Sequence, residues 1–325
     1  MTESLLTTSV GSFPKPEYLT KARSRVARGE MDAEELQVLE RKATEHWIRI
    51  QEELGLDILV DGEMYRGDMV TYFSEHMLGF AISGLVRSYG NRYYRKPIAT
   101  GPVGRADAIS VEWWKHTQSL TERPVKGMLT GPYTIADWSF NEYYVSREAF
   151  ILDLAKAVHE EAVDLERAGA KYIQIDEPAI STRPEEMELA SRALGIVTNG
   201  LTAYTITHIC YGDFAKVYDY LVGLPVDMLD LELANSNYDL LDLFRRHPTD
   251  KGLSMGVTDV HTHKVESVEE IVEGIKRGMG VFPTERLYIK PDCGLKTRQE
   301  EEAVAKLRNM MIAVRQVRDE LGIDQ

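Results

Sequence analysis

The strongest constraint on this chain is a rhythm. Short runs of apolar and β-branched residues recur at 5–10, 58–60, 125–129, 172–175, 204–207, 228–231, 253–257 and 287–289, and longer amphipathic stretches separate them. The runs lack polar alternation, as parallel strands buried on both faces do. The stretches between them carry helix signals. Asp32 precedes a helix predicted over 33–54 and ended by Gly55. Ser146 caps a segment that runs to Ala168 and Gly169, Ser267 opens a helix toward Gly278, and the last run is followed by a helix over 297–321. Eight β-then-α steps predict an α/β fold, the (β/α)8 TIM barrel. An open doubly wound sheet shows the same alternation, but it usually has fewer strands and a Gly-rich phosphate loop after the first strand, and neither is evident here. The interval 64–124 is too long for one helix. Within it, the alternating, aromatic and glycine-containing stretch 80–94 predicts a β-hairpin excursion near the barrel mouth. The chain, 1–325, reads as a single barrel domain with frayed ends at 1–6 and beyond 320.

Composition narrows the partners. The net charge of -14 repels phosphate and argues against nucleic-acid and anionic-membrane binding. No apolar run approaches the roughly 18 residues that span a bilayer. The first residues lack the basic and apolar parts of a signal peptide, so a cytoplasmic location is expected. With two cysteines, 210 and 293, a disulfide framework is not expected. They are either buried structural thiols or ligands.

The reactive side chains follow the strand runs: Gly11-Ser12, Glu63, Gly131-Pro132, Asp176-Glu177, His208-x-Cys210, Glu232, Asp259-x-His261 and Asp292-Cys293. In a barrel these ends share the face that carries active sites. His-x-Cys on an extended segment puts both side chains on one side. With Cys293 and Glu232, one imidazole, two thiolates and a carboxylate form a plausible tetrahedral Zn2+ set, the carboxylate being the easiest ligand to displace. Copper(I) and iron stay open on ligand type alone, though mixed sulfur, nitrogen and oxygen ligation favours zinc. Such a site suits a substrate thiol, whose pKa falls on binding zinc so that it is held as a thiolate. Glu63, Asp176 and Glu177 form a carboxylate-rich mouth suited to an amino acid's ammonium. The bland readings compete: a solvated loop carboxylate at Glu63, a helix cap at Asp176-Glu177 and a surface histidine at His263.

Several segments together resemble the catalytic domain of cobalamin-independent methionine synthases. They are Thr7-Thr-Ser-Val-Gly-Ser-Phe-Pro14, Asp61-Gly-Glu-Met64, Thr130-Gly-Pro-Tyr-Thr134, Gln174-Ile-Asp-Glu-Pro-Ala179, His208-Ile-Cys-Tyr211, Gly256-Val-Thr-Asp-Val-His261 and Lys290-Pro-Asp-Cys-Gly-Leu-Lys-Thr-Arg298. The resemblance implies a (β/α)8 barrel with zinc ligands His208, Cys210, Glu232 and Cys293. It implies that Val10, Gly11, Ser12, Glu63 and Asp176 bind the amino-acid end of homocysteine, and that His261 is the proton donor. It also implies that Trp138 contacts the pterin of methyl-tetrahydrofolate and that Arg92 belongs to the folate site, where the family's Arg-Cys reads Arg92-Tyr93. An N-terminal barrel of full-length members has no counterpart in these residues. Short single-barrel relatives add a second expected donor, a methylated corrinoid protein.

The expected activity is therefore methyl transfer to homocysteine, giving methionine. The alternative is alkyl or methyl transfer to another small thiol such as coenzyme M, whose sulfonate would call for Arg or Lys where Glu63 and Asp176 stand. A non-catalytic zinc protein is the third reading, and the clustering of Glu63, Asp176 and His261 at strand ends argues against it.

Overall fold

The computed structural model describes residues 4–87, 93–210 and 214–323. Its strands are β1 (Met77–Arg87), β2 (Tyr93–Arg105), β3 (Gly127–Thr130), β4 (Phe140–Asn141), β5 (Tyr172–Asp176), β6 (Tyr204–Ile209), β7 (Met228–Leu231), β8 (Gly252–Gly256) and β9 (Leu287–Lys290). The parallel strands follow one another in the order β3-β5-β6-β7-β8-β9, and β1, β2 and β4 form a second sheet in that order. The parallel strands are buried almost throughout, which explains why their runs are largely apolar. With the segments 5–10 and 58–60 as the first two of eight, each strand leads into helix, and the fold is of the (β/α)8 barrel class.

Two compact units divide the chain. One comprises Met1–Tyr65, His116–Lys126 and Asp230–Gln325. Its helix Ala33–Leu54 starts at a capping box, Asp32 with Glu35, and stops at Gly55, whose φ of 93° a side chain resists. Trp47 on this helix is fully buried, stacks on Phe13 and donates its indole N–H to the Pro14 carbonyl. β8 and β9 pair in parallel from Leu253↔Leu287 to Gly256↔Lys290.

The other unit comprises Arg66–Lys115 and Gly127–Leu229. It holds the predicted excursion, a hairpin of β1 and β2 that is longer than the stretch 80–94. It also holds β3, β5 and β6, which pair in parallel register. Helix Arg147–Ala168 is capped by the Ser146 hydroxyl and ends at Gly169, as the sequence signals predict.

Four expectations need correction. Segments 5–10 and 58–60 pair through isolated bridges, Thr7↔Ile289 and Leu59↔Val125, rather than ladders. Side chains take the missing places: the Asp57 carboxylate accepts from the Thr7 N–H, and the Gln51 amide bonds both the N–H and the carbonyl of Val60. The start of the chain is not frayed from residue 4 onward. Ser4, Leu5 and Leu6 are buried, and the Leu5 carbonyl accepts from Arg318. The last helix is Glu300–Leu321, because a turn from Leu295 to Arg298 precedes it. That helix holds past residue 320, with Gly322 at φ 66° closing it. Among the described residues no helix is long and apolar enough to cross a membrane.

Candidate metal and substrate site

β5 and β6 position the first group. Asp176 ends β5 and is in register with His208 on β6, and the Glu177 N–H donates to the His208 carbonyl. Cys210 follows β6 two residues after His208, so both project to one side. All three are buried. Gln174 donates its amide to Asp176 Oδ1 at 2.7 Å and orients that carboxylate.

Glu177 plays another part. It is fully buried, and its oxygens accept from the Tyr133 N–H, the Thr134 N–H and the Thr134 hydroxyl at 2.6–3.0 Å. These donors open the short helix Pro132–Asp137, whose first N–H groups have no partner within the helix. A Cβ on Gly131 would lie 2.1 Å from the Glu177 carboxyl carbon, so that glycine makes room for the cap. Burial pushes the Glu177 carboxyl up to about 7 against the pull of these donors. Its place in an ammonium-binding mouth is thereby corrected: its oxygens are spent on two backbone N–H groups and the Thr134 hydroxyl.

A second group comes from the chain start and from the ends of β7, β8 and β9. Ser12 bridges Gly62, and its carbonyl accepts from the Leu295 N–H. Gly294 lies so close that a Cβ there would meet the Ser12 hydroxyl at 2.1 Å. The segment Val10–Gly11–Ser12, all buried, thus adjoins both the turn that carries Glu63 and the residue after Cys293. Glu63 sits at φ 57°, a conformation that costs a side-chain residue energy. Its N–H donates to Asp61 Oδ1, and Lys15 Nζ donates to its carbonyl at 3.0 Å. Burial, with Arg23 next, pushes the Lys15 ammonium down to about 8.

Glu232 follows β7 and is buried. Asn235 Nδ2 donates to its Oε2 at 2.8 Å, and His261 Nε2 lies 3.1 Å from its Oε1. The contact with Glu232 holds the His261 imidazole above its ordinary range, with Cys293 and Asp259 adding to the effect.

His208, Cys210 and Cys293 each offer one ligand atom, and these atoms lie within 4.8 Å of one another. The edges of a tetrahedron of nitrogen and sulfur ligands around zinc are about 3.3–3.8 Å. One imidazole and two thiols at this spacing therefore fit a tetrahedral ion with little movement. Glu232 lies outside this trio. Trp138 ends the helix Pro132–Asp137 and is 37% exposed. Arg92 lies outside the described residues; Tyr93 opens β2, and its side chain is likewise outside them.

Sequence reasoning missed the buried cations. Lys290 at the end of β9 is fully buried, paired with Asp230 Oδ1 at 2.8 Å, and donates to the Asp292 carbonyl. Lys126 donates to the Ser9 carbonyl, and Arg66 to that of Met128. The available signal was a charge inside or beside an apolar run, as at Lys126 and Lys290.

A family model described as the catalytic domain of cobalamin-independent synthase matches residues 5–316. The chain belongs to this family. It is 40% identical over 330 residues to a 5-methyltetrahydropteroyltriglutamate–homocysteine methyltransferase of Nitratidesulfovibrio vulgaris, covering 98% of this chain and 42% of that protein. It is 38% identical over 318 residues to a methionine synthase of Saccharolobus solfataricus, covering 98% and 96%. The chain thus spans less than half of the Nitratidesulfovibrio relative and nearly all of the Saccharolobus one. A B12-independent methionine synthase from Shewanella sp. W3-18-1, solved with selenomethionine, superposes with a TM-score of 0.88 at 29% identity, over 98% of this chain and 99% of that one. Of the two donors expected from the sequence, the corrinoid is overturned. The family is described as cobalamin-independent, and the relatives that name a donor name a methylated folate.

Proposed function

We propose that this chain is a zinc-dependent methyltransferase, a single catalytic domain over 1–325, that makes methionine by methyl transfer from 5-methyl-tetrahydrofolate to the sulfur of homocysteine. The observation that carries this reading is the trio His208, Cys210 and Cys293 within 4.8 Å, in a chain of this family. These residues would hold the zinc, with Glu232 as the exchangeable fourth ligand. Zinc there would lower the pKa of a substrate thiol and keep it a nucleophilic thiolate at neutral pH.

The chain's own residues supply the rest. Glu63 and Asp176 accept hydrogen bonds from the substrate's ammonium, and the segment Val10–Gly11–Ser12 receives its carboxylate end. This pairing of acids with an ammonium favours an amino-acid thiol over a sulfonate such as coenzyme M. Trp138 offers a ring face to the pterin, and Arg92 and Tyr93 are assigned to the same methyl donor. As the methyl–sulfur bond forms and the methyl–nitrogen bond breaks, the leaving pterin nitrogen needs a proton. His261 holds one at Nε2, stabilised by Glu232, and delivers it.

The test combines metal analysis with activity. The purified protein is expected to contain about one zinc per chain and to form methionine from homocysteine and methyl-tetrahydrofolate, as the mono- or triglutamate. Cys293→Ser is expected to lose zinc and activity together. Methionine formation by a zinc-free Cys293→Ser protein would overturn the reading.

A further inference from the structure

Asp292 stands beside Cys293 but faces away from it in its chemistry. It is fully buried, and its carboxylate accepts three backbone N–H groups. Oδ1 takes those of Leu233 and Ala234 at 2.9 and 3.0 Å, and Oδ2 takes that of Asn235 at 2.7 Å. These are the residues directly after Glu232, and Asn235 in turn donates its side chain to Glu232. The Asp292 side chain therefore reaches from the end of β9 to the loop after β7.

β8 lies between those two strands in the sheet. The residue at its end is Gly256, where a Cβ would lie 2.0 Å from Asp292 Oδ1 and 2.7 Å from Asp292 Cα. The passage exists only because that residue has no side chain. The backbone of Asp292 is fixed as well: its N–H donates to Thr258, and its carbonyl accepts from Lys290, which the buried Asp230 pairs. A carboxylate accepting three N–H groups in a buried site is a strong, directional tie.

We propose that Asp292, with Gly256 as the gap that admits it, is a positioning residue that sets the spacing between Cys293 and Glu232 and so tunes the metal centre. This rests on the zinc reading above. Asp292→Asn keeps the shape but turns one acceptor into an NH2 group facing a backbone N–H. Gly256→Ala keeps the carboxylate and fills its path.

The experiment measures zinc Kd by chelator competition and the visible spectrum of the Co(II)-substituted protein, for the parent chain, Asp292→Asn, Gly256→Ala, Asp292→Ala and Gly256→Ala/Asp292→Ala. Zinc Kd is expected to rise about 10- to 100-fold in both Asp292→Asn and Gly256→Ala, with a changed Co(II) spectrum. Gly256→Ala is expected to cost less in the Asp292→Ala background than in the parent, because the carboxylate it displaces is gone and only the close approach to the Asp292 Cα remains. If the parent binds zinc and the folded single variants bind it with the same Kd and spectrum, the proposal is overturned while the zinc reading stands. Equal losses from Gly256→Ala with and without Asp292 also overturn it, whichever single variant folds. A parent chain that binds no zinc overturns both.

Discussion

The ends of β5 and β9 make a matched pair. Each carries two adjacent reactive residues, Asp176-Glu177 and Asp292-Cys293. In each, one carboxylate is buried and accepts N–H groups from a loop that follows another strand. Each needs a glycine, Gly131 for Glu177 and Gly256 for Asp292, where a Cβ would approach within about 2 Å. They differ in what the carboxylate joins. Glu177 reaches the loop after β3, the neighbouring strand, and closes a helix start. Asp292 passes β8 and ties the loop that carries Glu232 to the residue before Cys293. The same device serves folding at one end and ligand spacing at the other.

The contrast can be broken or sharpened by mutation. The largest effect is expected from Glu177→Ala, which leaves three donors without an acceptor at about 1–3 kcal/mol each. Urea unfolding should show a loss of several kcal/mol, with zinc affinity unchanged in the folded protein. A large fall in affinity would erase the difference between the two ends. Gly131→Ala should follow at about 1–3 kcal/mol, since the new methyl meets the Glu177 carboxyl. A neutral result in the same unfolding assay would show that the cap can move aside.

Trp138→Ala tests the side of the β3 loop that Glu177 holds. It should raise the KM for methyl-tetrahydrofolate about tenfold, as loss of one stacking face does, and leave the unfolding midpoint near that of the parent. An unchanged KM would remove Trp138 from the donor site. Lys15→Met is the mildest. It should raise the KM for homocysteine a few-fold, about the worth of one hydrogen bond to the Glu63 turn, with kcat nearly constant. A fall in kcat with constant KM would place Lys15 in the chemistry instead.

Much of this was legible in the residues. The strand runs, the cap at Asp32 and the stops at Gly55 and Gly169 are local signals, set by side-chain period and backbone freedom over a few residues. His-x-Cys is local too, so the pairing of His208 with Cys210 followed from strand geometry alone. Where Asp57 and Gln51 replace backbone pairing at Thr7 and Val60, the sequence read as ordinary strand, because a side chain that completes a ladder looks like any other polar residue.

The sequence by itself determined which chemistry is available: two thiols, a nearby imidazole, and acids placed after strands. Tertiary structure alone decided which acids are spent. Asp176 and Glu177 are neighbours of the same charge type, yet one faces His208 across the sheet while the other saturates a helix start. Glycines at 131 and 256 are equally mute in sequence, because the atoms their missing side chains make room for come from elsewhere in the chain. Contacts between distant residues fix such roles, and no local pattern encodes them.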